Sequence, residues 1–579
     1  MKFPESSMRI GWYVLACLLA VVTYFYGLDS QHIPKNSDEY VYEHIARMTA
    51  GSGKLLPLQS HLDNMRNTKP PLLFWQGIAS TGWGVHWTLW DLRYPSVIYT
   101  LLTAAMLFAL GWKLSRRPEF SMRAETGFIA ALTFLAFFTT YRFGRPFLTN
   151  PPEVFWLFLP FFMLLYWRQA FESRFAIPLL LGICFGIGFL YKSFALGLPA
   201  TLGLAGCYLH HRRYRVTEFF RRDALKVAIA ITAAVAVFAM WFALDPEPQA
   251  IWKEFIVREN VGKFDPHGPS YLEKLLWGDS SLWSYTLAFL TNAGLLTFPV
   301  IAMFVIVSRR RAQLSDEEKL LLIWIAALFL SFCLPSQRSG RYVLAAMPAI
   351  ALLCALNWQQ IGRKVFVAAL VLAGAFIAAI TYLALRLQAE MQIYLPAVWL
   401  LTAVTTIILV LAIFVPGFTR HGINVVILLS MLCFAAFVRP FDGALGNFSA
   451  EALRYAIGKE VWVPCNFRAK WEGHRFILPG AEIHGYNESL NLTANELAGR
   501  YPLFTYRLAL SDTQQNGGCT ACKIIGQRLD IRGRIPEDEI EQMILEGKVF
   551  QNLFIREVLM VAPAREKFVP LLTSEQVCR

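Results

Sequence analysis

IGWYVLACLLAVVTYFYGLDSQHIPKNSDEYVYEHIARM, residues 10–48, joins an unbroken apolar run to a charged segment that carries two adjacent carboxylates, Asp38 and Glu39. The run has the ~20 apolar residues that a helix needs to cross ~30 Å of hydrocarbon. Similar runs recur at 93–113, 127–141, 152–167, 175–191, 194–209, 225–244, 284–307, 320–335, 342–358, 365–386, 393–414 and 422–438, which makes thirteen candidate spans. The 579 residues are 56% hydrophobic and 16% charged, with a mean hydropathy of +0.42. That composition lacks the polar surface to cover a soluble core of this length. The expected fold class is mostly α: a polytopic membrane protein with about thirteen transmembrane helices over residues 1–438, then a small α/β domain over 439–579.

Orientation follows from basic residues in the short loops, which are retained on the cytoplasmic side. An inside N-terminus collects 113–123, 168–174, HHRRYR (210–215), SRRRAQLSDEEK (308–319), IGRK (361–364) and TRHG (419–422) in the cytoplasm. Thirteen spans then put 439–579 outside, together with the loops 29–92 and 245–283. No small-residue cleavage pattern follows the first span, so it reads as a retained anchor. The net charge of +13 is mainly a topology signal that suits an anionic membrane surface, and no nucleic-acid motif accompanies it. Six cysteines lie in apolar spans and four, Cys465, Cys519, Cys522 and Cys578, in the outer segment. An oxidising compartment permits disulfides among the four, with pairing left open, and CTAC could hold zinc only with two further ligands.

In the first outer loop Val41, Ile45 and Met48 share one helical face while Glu39, Glu43 and Arg47 take another, a pattern that suits a helix lying along the membrane surface. The second outer loop offers FIVRENVGKF and SYLEKLLWG as short amphipathic pieces around DPHGP. The C-terminal segment alternates strand-like runs, EVWVP, HRFILPG and PLFTYRLAL, with a helical PEDEIEQMILEG.

Positive charge on the wrong side is the chemically informative feature. Arg142, Arg145, Lys192, Arg338 and Arg341 sit in short outer loops, within a turn of a membrane boundary, where a lipid phosphate would lie. Arginine offers phosphate a planar fork and lysine a point charge, although both also snorkel to interfaces. Facing them are the outer carboxylates Asp38, Glu39, Glu43, Glu153, Glu254 and Glu259. Asn36 and Glu39 have capping-box spacing, so a helix cap and a general base are both open readings of the acidic pair.

These residues resemble the GT-C glycosyltransferases, in particular the group that includes the bacterial lipid A aminoarabinose transferases and the protein O-mannosyltransferases. The resemblance rests on SDEYVYEHIARMTAGSGKLLPLQ, NTKPPLLFWQ, RPFLTNPPEVFW, YKSFALGLP, FIVRENVGKF and PSQRSGRYVLAAMPAIALL, in collinear order over most of residues 30–355. It implies transfer of a sugar from a polyprenyl-phosphate (undecaprenyl-phosphate) donor to lipid A or another envelope glycan or protein acceptor at the periplasmic face of a bacterial inner membrane. It also implies a catalytic role for Asp38 with Glu39 in support. Substrate and phosphate contacts would come from Lys69, Arg142, Arg145, Glu153, Lys192, Glu259, Arg338, Arg341 and Tyr342. Thr68 and Asn260 stand where the group has a glutamate and a histidine associated with a divalent metal, so no metal or other cofactor is carried over. Asn150 replaces an aspartate, with Glu153 one turn on as a substitute. The expected partners are the lipid-linked sugar, its acceptor and membrane lipids, with the chain acting as a monomer. The competing readings are a protein O-glycosyltransferase, a lipid-linked-sugar transporter, which would call for ionisable residues deep in the spans and for repeat symmetry, and an inactive envelope-binding protein.

Overall fold

The computed structural model describes residues 6–33, 37–264, 271–278, 281–335, 338–465, 468–510, 516–532, 535 and 537–563. Each apolar run coincides with a helix or with two helices in close succession, from Ser6–Phe25 through Leu89–Leu114 and Asn150–Tyr166 to Arg363–Met391, Pro396–Phe414 and Thr419–Val438. Among the described residues, seven helices are long and apolar enough to cross a bilayer, or eight if Leu282–Thr291 and Gly294–Arg309, bent by 93°, count as one span. Ala176–Tyr191 has 16 residues, about 24 Å at 1.5 Å per residue, short of ~30 Å of hydrocarbon, whereas Asp316–Cys333 has 18 residues but opens on the charged DEEK.

Burial sorts the helices into centre and rim. The span Thr419–Asp442 is 89% buried and Gly340–Asn357 78%, whereas Ala224–Leu244 and Pro396–Phe414 are only 28% buried. Rim residues such as Leu15, Val371, Leu400 and Phe414 present large apolar side chains outward, the surface a bilayer solvates. Small residues set the closest approach: a Cβ at Gly182 would lie 2.3 Å from the Ala230 carbonyl oxygen, and one at Gly186 2.6 Å from Val237 Cβ. Ala176–Tyr191 therefore packs on Ala224–Leu244 through a glycine-xxx-glycine face.

The C-terminal segment forms a five-stranded sheet of β1 (Glu460–Cys465), β2 (Glu482–Asn487), β3 (Leu503–Ala509), β4 (Lys523–Ile531) and β5 (Phe554–Val561), in the order β2-β1-β3-β5-β4. β1 runs parallel to β2 and β3, while β5 is antiparallel to β3 and β4. HRFILPG, expected as a strand, lies largely in the helix Glu472–Ile477. Parallel β1 and β2 need a crossover, and this helix supplies it. CTAC forms the disulfide Cys519–Cys522, and the six cysteines of the spans are thiols. Cys465 is also disulfide-bonded, while Cys578 lies outside the described residues.

In the outer loops, Ser37–Gly51 is helical as expected, and Trp252–Asn260 and Tyr271–Leu276 are the two pieces of the second loop, the first with a π-helical winding. DPHGP and the candidate cap Asn36 lie outside the described residues. The first helix is not a surface helix with one wet face. Glu39, Glu43 and His44 are buried along with Val41 and Ile45: the membrane domain encloses Glu39 through Arg93, and the C-terminal sheet domain covers the side of His44 and Arg47, which was expected to meet water. Glu472 makes that contact. Its carboxylate, buried completely, accepts from His44 Nδ1 at 2.7 Å, from Arg47 Nη2 and Nε at 2.7 and 3.0 Å, and from Arg475 Nε at 2.8 Å. His44 Nε2 accepts from the His61 amide at 3.1 Å, which fixes the proton on Nδ1.

Candidate active site

Asp38 and Glu39 are neighbours in sequence and therefore about 100° apart around their helix. Glu39 turns inward, where its two oxygens accept from Arg93 Nε and Nη2, both at 2.7 Å, and one also accepts from the Phe147 amide at 2.7 Å. Arg93 Nη1 in turn donates to the carbonyls of Leu28 and Ser30 at 3.0 and 2.5 Å. This buried cluster ties the helix to the end of the first span, to Leu89–Leu114 and to the short outer loop that holds Phe147. Burial, and next to it the Glu39 carboxylate, push the carboxyl of Glu43, one turn further, well above the usual carboxylate range.

Asp38 turns the other way, onto a cavity of about 480 Å³ whose lining includes Tyr42, Thr68, Lys69, Asn150, Lys192, Ser193, Glu259, Asn260, Arg341 and Tyr342. Small-molecule sites span ~300–1,000 Å³. Three cations converge there from separate outer loops, each beside a carboxylate. Arg341 Nη1 donates to Asp38 Oδ2 at 2.9 Å. Lys192 Nζ donates to Glu153 Oε2 at 2.5 Å, and Asn150 Nδ2 donates to the same oxygen at 3.2 Å. Lys69 Nζ pairs with Glu259 and donates to the Thr68 carbonyl at 3.0 Å. Lys192 also lies 5.2 Å from the centre of the Tyr342 ring, which stacks on Phe332. Val41, Phe194, Phe255 and Phe332 form the apolar wall. Cations held near one another on such a wall suit an anion that arrives with an apolar chain attached.

The structure thus brings together Asp38, Lys69, Lys192, Glu259, Arg341 and Tyr342, with Glu153 directly behind Lys192. It places Glu39 elsewhere, in the Arg93 cluster, and it gives three arginines other tasks. Arg145, fully buried, donates to the carbonyls of Tyr24 and Tyr26 at 3.0 and 2.6 Å. Arg338 donates to the Cys333 carbonyl at 2.9 Å. Both close helix C-termini, where cations satisfy the last carbonyls. Arg142 is exposed, its guanidinium over the rings of Phe138 and Phe143. Two residues that hold or line the site had no signal of their own in the sequence. Arg93 reads as the basic edge of a span, and Arg468, from the C-terminal domain, reads as an ordinary loop cation although it lines the cavity.

At the two positions that the group associates with a metal, this chain offers a hydroxyl, Thr68, and an amide, Asn260, whose Oδ1 accepts from Ser193 Oγ at 2.8 Å and whose Nδ2 donates to the Phe255 carbonyl at 2.7 Å. Both are weak donors for a divalent ion, and the carboxylates of the same cavity, Asp38 and Glu259, are paired with Arg341 and Lys69. Among the described residues, one trio of potential ligands comes close together, Glu460, Glu482 and His484. It starts at the amino end of β1, the opposite end from Arg468.

No protein-family model matches the chain. A curated relative, an undecaprenyl phosphate-alpha-4-amino-4-deoxy-L-arabinose arabinosyl transferase 1 of Sodalis glossinidius, is 26% identical over 363 residues, 61% of this chain and 60% of the relative. The enzyme of that name in Yersinia enterocolitica is 25% identical over 385 residues, 65% of this chain and 63% of its own. The chain thus spans about three fifths of the length of the curated relatives it matches. Among solved structures, ArnT from Cupriavidus metallidurans bound to undecaprenyl phosphate superposes with a TM-score of 0.58 at 14% identity, covering 96% of this chain and 98% of that one. The chain has the fold of ArnT, a GT-C fold, and is ArnT-like in sequence.

Proposed function

We propose that this chain is an integral-membrane glycosyltransferase that moves a sugar from a polyprenyl-phosphate donor, of the undecaprenyl-phosphate type, to lipid A or another envelope acceptor at the periplasmic face of a bacterial inner membrane. In this reading the chain works as a monomer with its N-terminus in the cytoplasm, residues 1–438 forming the catalytic membrane domain and 439–579 a periplasmic domain. The observation that carries it is the convergence of Asp38 with Lys69, Lys192 and Arg341 on one cavity. That cavity has room for a sugar phosphate but not for a polyprenyl chain, which must leave along the apolar wall into the bilayer.

The chemistry follows from the charges. An acceptor oxygen bonds to the anomeric carbon as the bond from that carbon to the phosphate oxygen breaks, and the electron pair leaves on the lipid phosphate. Lys69, Lys192 and Arg341 stabilise the charge that develops there. Asp38 takes the proton of a hydroxyl acceptor; for a phosphate acceptor, already ionised, it orients the nucleophile and stabilises the oxocarbenium-like sugar. Its contact with Arg341 holds both groups in register before substrate arrives. The protein's own cations supply the phosphate site, and Thr68 and Asn260 take part as hydrogen-bonding groups.

The test is transfer by the purified chain in liposomes, with a polyprenyl-phosphate-linked sugar and lipid A. Wild type should label the lipid, and Asp38→Asn should abolish labelling with the protein still inserted and of normal thermal stability. Near-normal turnover by Asp38→Asn would overturn the assignment of Asp38, and absence of transfer by wild type to any envelope acceptor would overturn the reading as a whole.

A further inference from the structure

Arg468 lies three residues beyond the carboxyl end of β1, in the turn that leads into the helix Glu472–Ile477, and it lines the same cavity as Asp38. Two features of the fold put it there. The first is sheet topology. β1 has β2 on one flank and β3 on the other, both parallel to it; the chain leaves β1 toward β2 and then crosses to β3. At such a reversal of strand order the loops diverge and leave a crevice outside the carboxyl ends of the strands, the usual ligand-binding edge of an open parallel sheet. The loop of Arg468 is on that edge, and it faces the membrane domain.

The second feature is anchoring. Glu472, four residues after Arg468, is the buried carboxylate gripped by His44, Arg47 and Arg475. The backbone of Gly473 comes so close that a Cβ there would lie 3.0 Å from Tyr40 Cε1. Tyr40, His44 and Arg47 belong to the helix that carries Asp38. The position of Arg468 is thus tied to that of Asp38 through two short, buried elements rather than through the bilayer helices.

We propose that Arg468 binds a phosphate of the acceptor, a phosphorylated glycolipid, at the outer mouth of the cavity, so that the C-terminal domain forms part of the acceptor site. The inference rests on the transferase reading above and assigns one substrate group within it. Lys69, Lys192 and Arg341 come from the membrane-domain side, where a lipid-linked donor enters. Arg468 approaches from the domain above them, and its side chain is exposed, within reach of a headgroup that stands outside the bilayer. An arginine there offers a bidentate grip on a phosphate monoester and would set its sugar against the anomeric carbon held near Asp38.

The experiment measures equilibrium binding of three probes to the full-length chain in detergent: undecaprenyl phosphate, diphosphoryl lipid A, and lipid A stripped of its phosphates. Arg468→Ala should weaken binding of diphosphoryl lipid A about tenfold, as expected for loss of a charge-assisted hydrogen bond, and leave undecaprenyl phosphate unchanged. Arg468→Lys should recover part of the loss. Stripped lipid A should bind wild type and Arg468→Ala equally. Unchanged binding of diphosphoryl lipid A by Arg468→Ala would overturn the proposal, and so would a loss confined to undecaprenyl phosphate, which would assign Arg468 to the donor. Wild type that binds neither undecaprenyl phosphate nor lipid A would overturn the transferase reading, and this inference with it.

Discussion

Replacing Arg93 with leucine removes the partner of a carboxylate that cannot reach water. Arg93 and Glu39 are each 3% exposed at the side chain, and Glu39 would be left with the Phe147 amide as its remaining donor of the three described above. Removing one member of a buried pair costs about 3–5 kcal/mol, because the other charge is left uncompensated. The carbonyls of Leu28 and Ser30 lose a donor in the same substitution, which places Arg93→Leu at the upper end of that range. Glu39→Leu should cost a comparable amount. The double variant Arg93→Leu/Glu39→Leu removes both charges and fills the volume, and buried pairs replaced in this way are often neutral or better. It should therefore be more stable than either single variant, with a coupling of at least about 2 kcal/mol. Thermal unfolding in detergent, with proteolysis of the 29–92 loop as a second readout, measures the cycle. Additive single-site effects, or Arg93→Leu at wild-type stability, would refute the view that Glu39 positions the Asp38 helix.

Three further outcomes are expected. Arg341→Ala should lower transfer about 10²-fold, the scale for loss of one preorganised donor at a developing negative charge, whereas Arg142→Ala, on an exposed arginine off the cavity, should change it by no more than about twofold; steady-state kinetics on both variants decides. Docking of the C-terminal domain should weaken in acid. Burial pushes the Glu472 carboxyl up, but the hydrogen bonds and charges of His44, Arg47 and Arg475 outweigh it and hold the group well below the usual carboxylate range. A lowered carboxylate contributes its full stability above the unfolded value of ~4.3 and loses it progressively as the pH falls from there toward the folded value. Proteolytic release of the domain should therefore rise below about pH 4.5 in wild type, while Glu472→Gln should release it at neutral pH with little further change in acid. A domain equally protected at pH 3 and pH 7 would contradict this. Removal of the Cys519–Cys522 disulfide, which closes a very short loop, should barely move the unfolding midpoint, since the entropic gain from a cross-link grows with loop length; differential scanning fluorimetry of Cys519→Ser/Cys522→Ser against wild type, both without reductant, measures it.

The helices were readable because solvation by lipid leaves a signal every 20 residues or so, and the apolar runs fall on helices throughout. Asp38, Lys69, Lys192 and Arg341, which line one cavity, stood out for two reasons: Lys192 and Arg341 are charges at the outer ends of apolar runs, and Asp38 and Lys69 lie in stretches that resemble motifs of the GT-C group. The same signal misled at Arg145 and Arg338. An arginine that holds the last carbonyls of a helix and one that holds a phosphate look alike in sequence, and only the position of Tyr24, Tyr26 and Cys333 separates them. Glu39, expected to support Asp38, shows what adjacency leaves out: the helical turn sends the two carboxylates in different directions, and the partner that holds Glu39 lies 54 residues away. HRFILPG failed as a strand because the connection between two parallel strands outweighs local propensity. Arg468 could not be found in the sequence at all, since its place in the cavity depends on how a separate sheet docks.

The most direct measurement is an experimentally determined structure of the chain with undecaprenyl phosphate bound. The phosphate should lie within hydrogen-bonding distance of Lys69 and Arg341, beside Lys192, with Asp38 facing the position of the anomeric carbon and the polyprenyl chain running along Phe194, Phe255 and Phe332 into the bilayer. A phosphate held instead by Arg142, Arg145 or Arg338, with the cavity at Asp38 empty, would contradict the account.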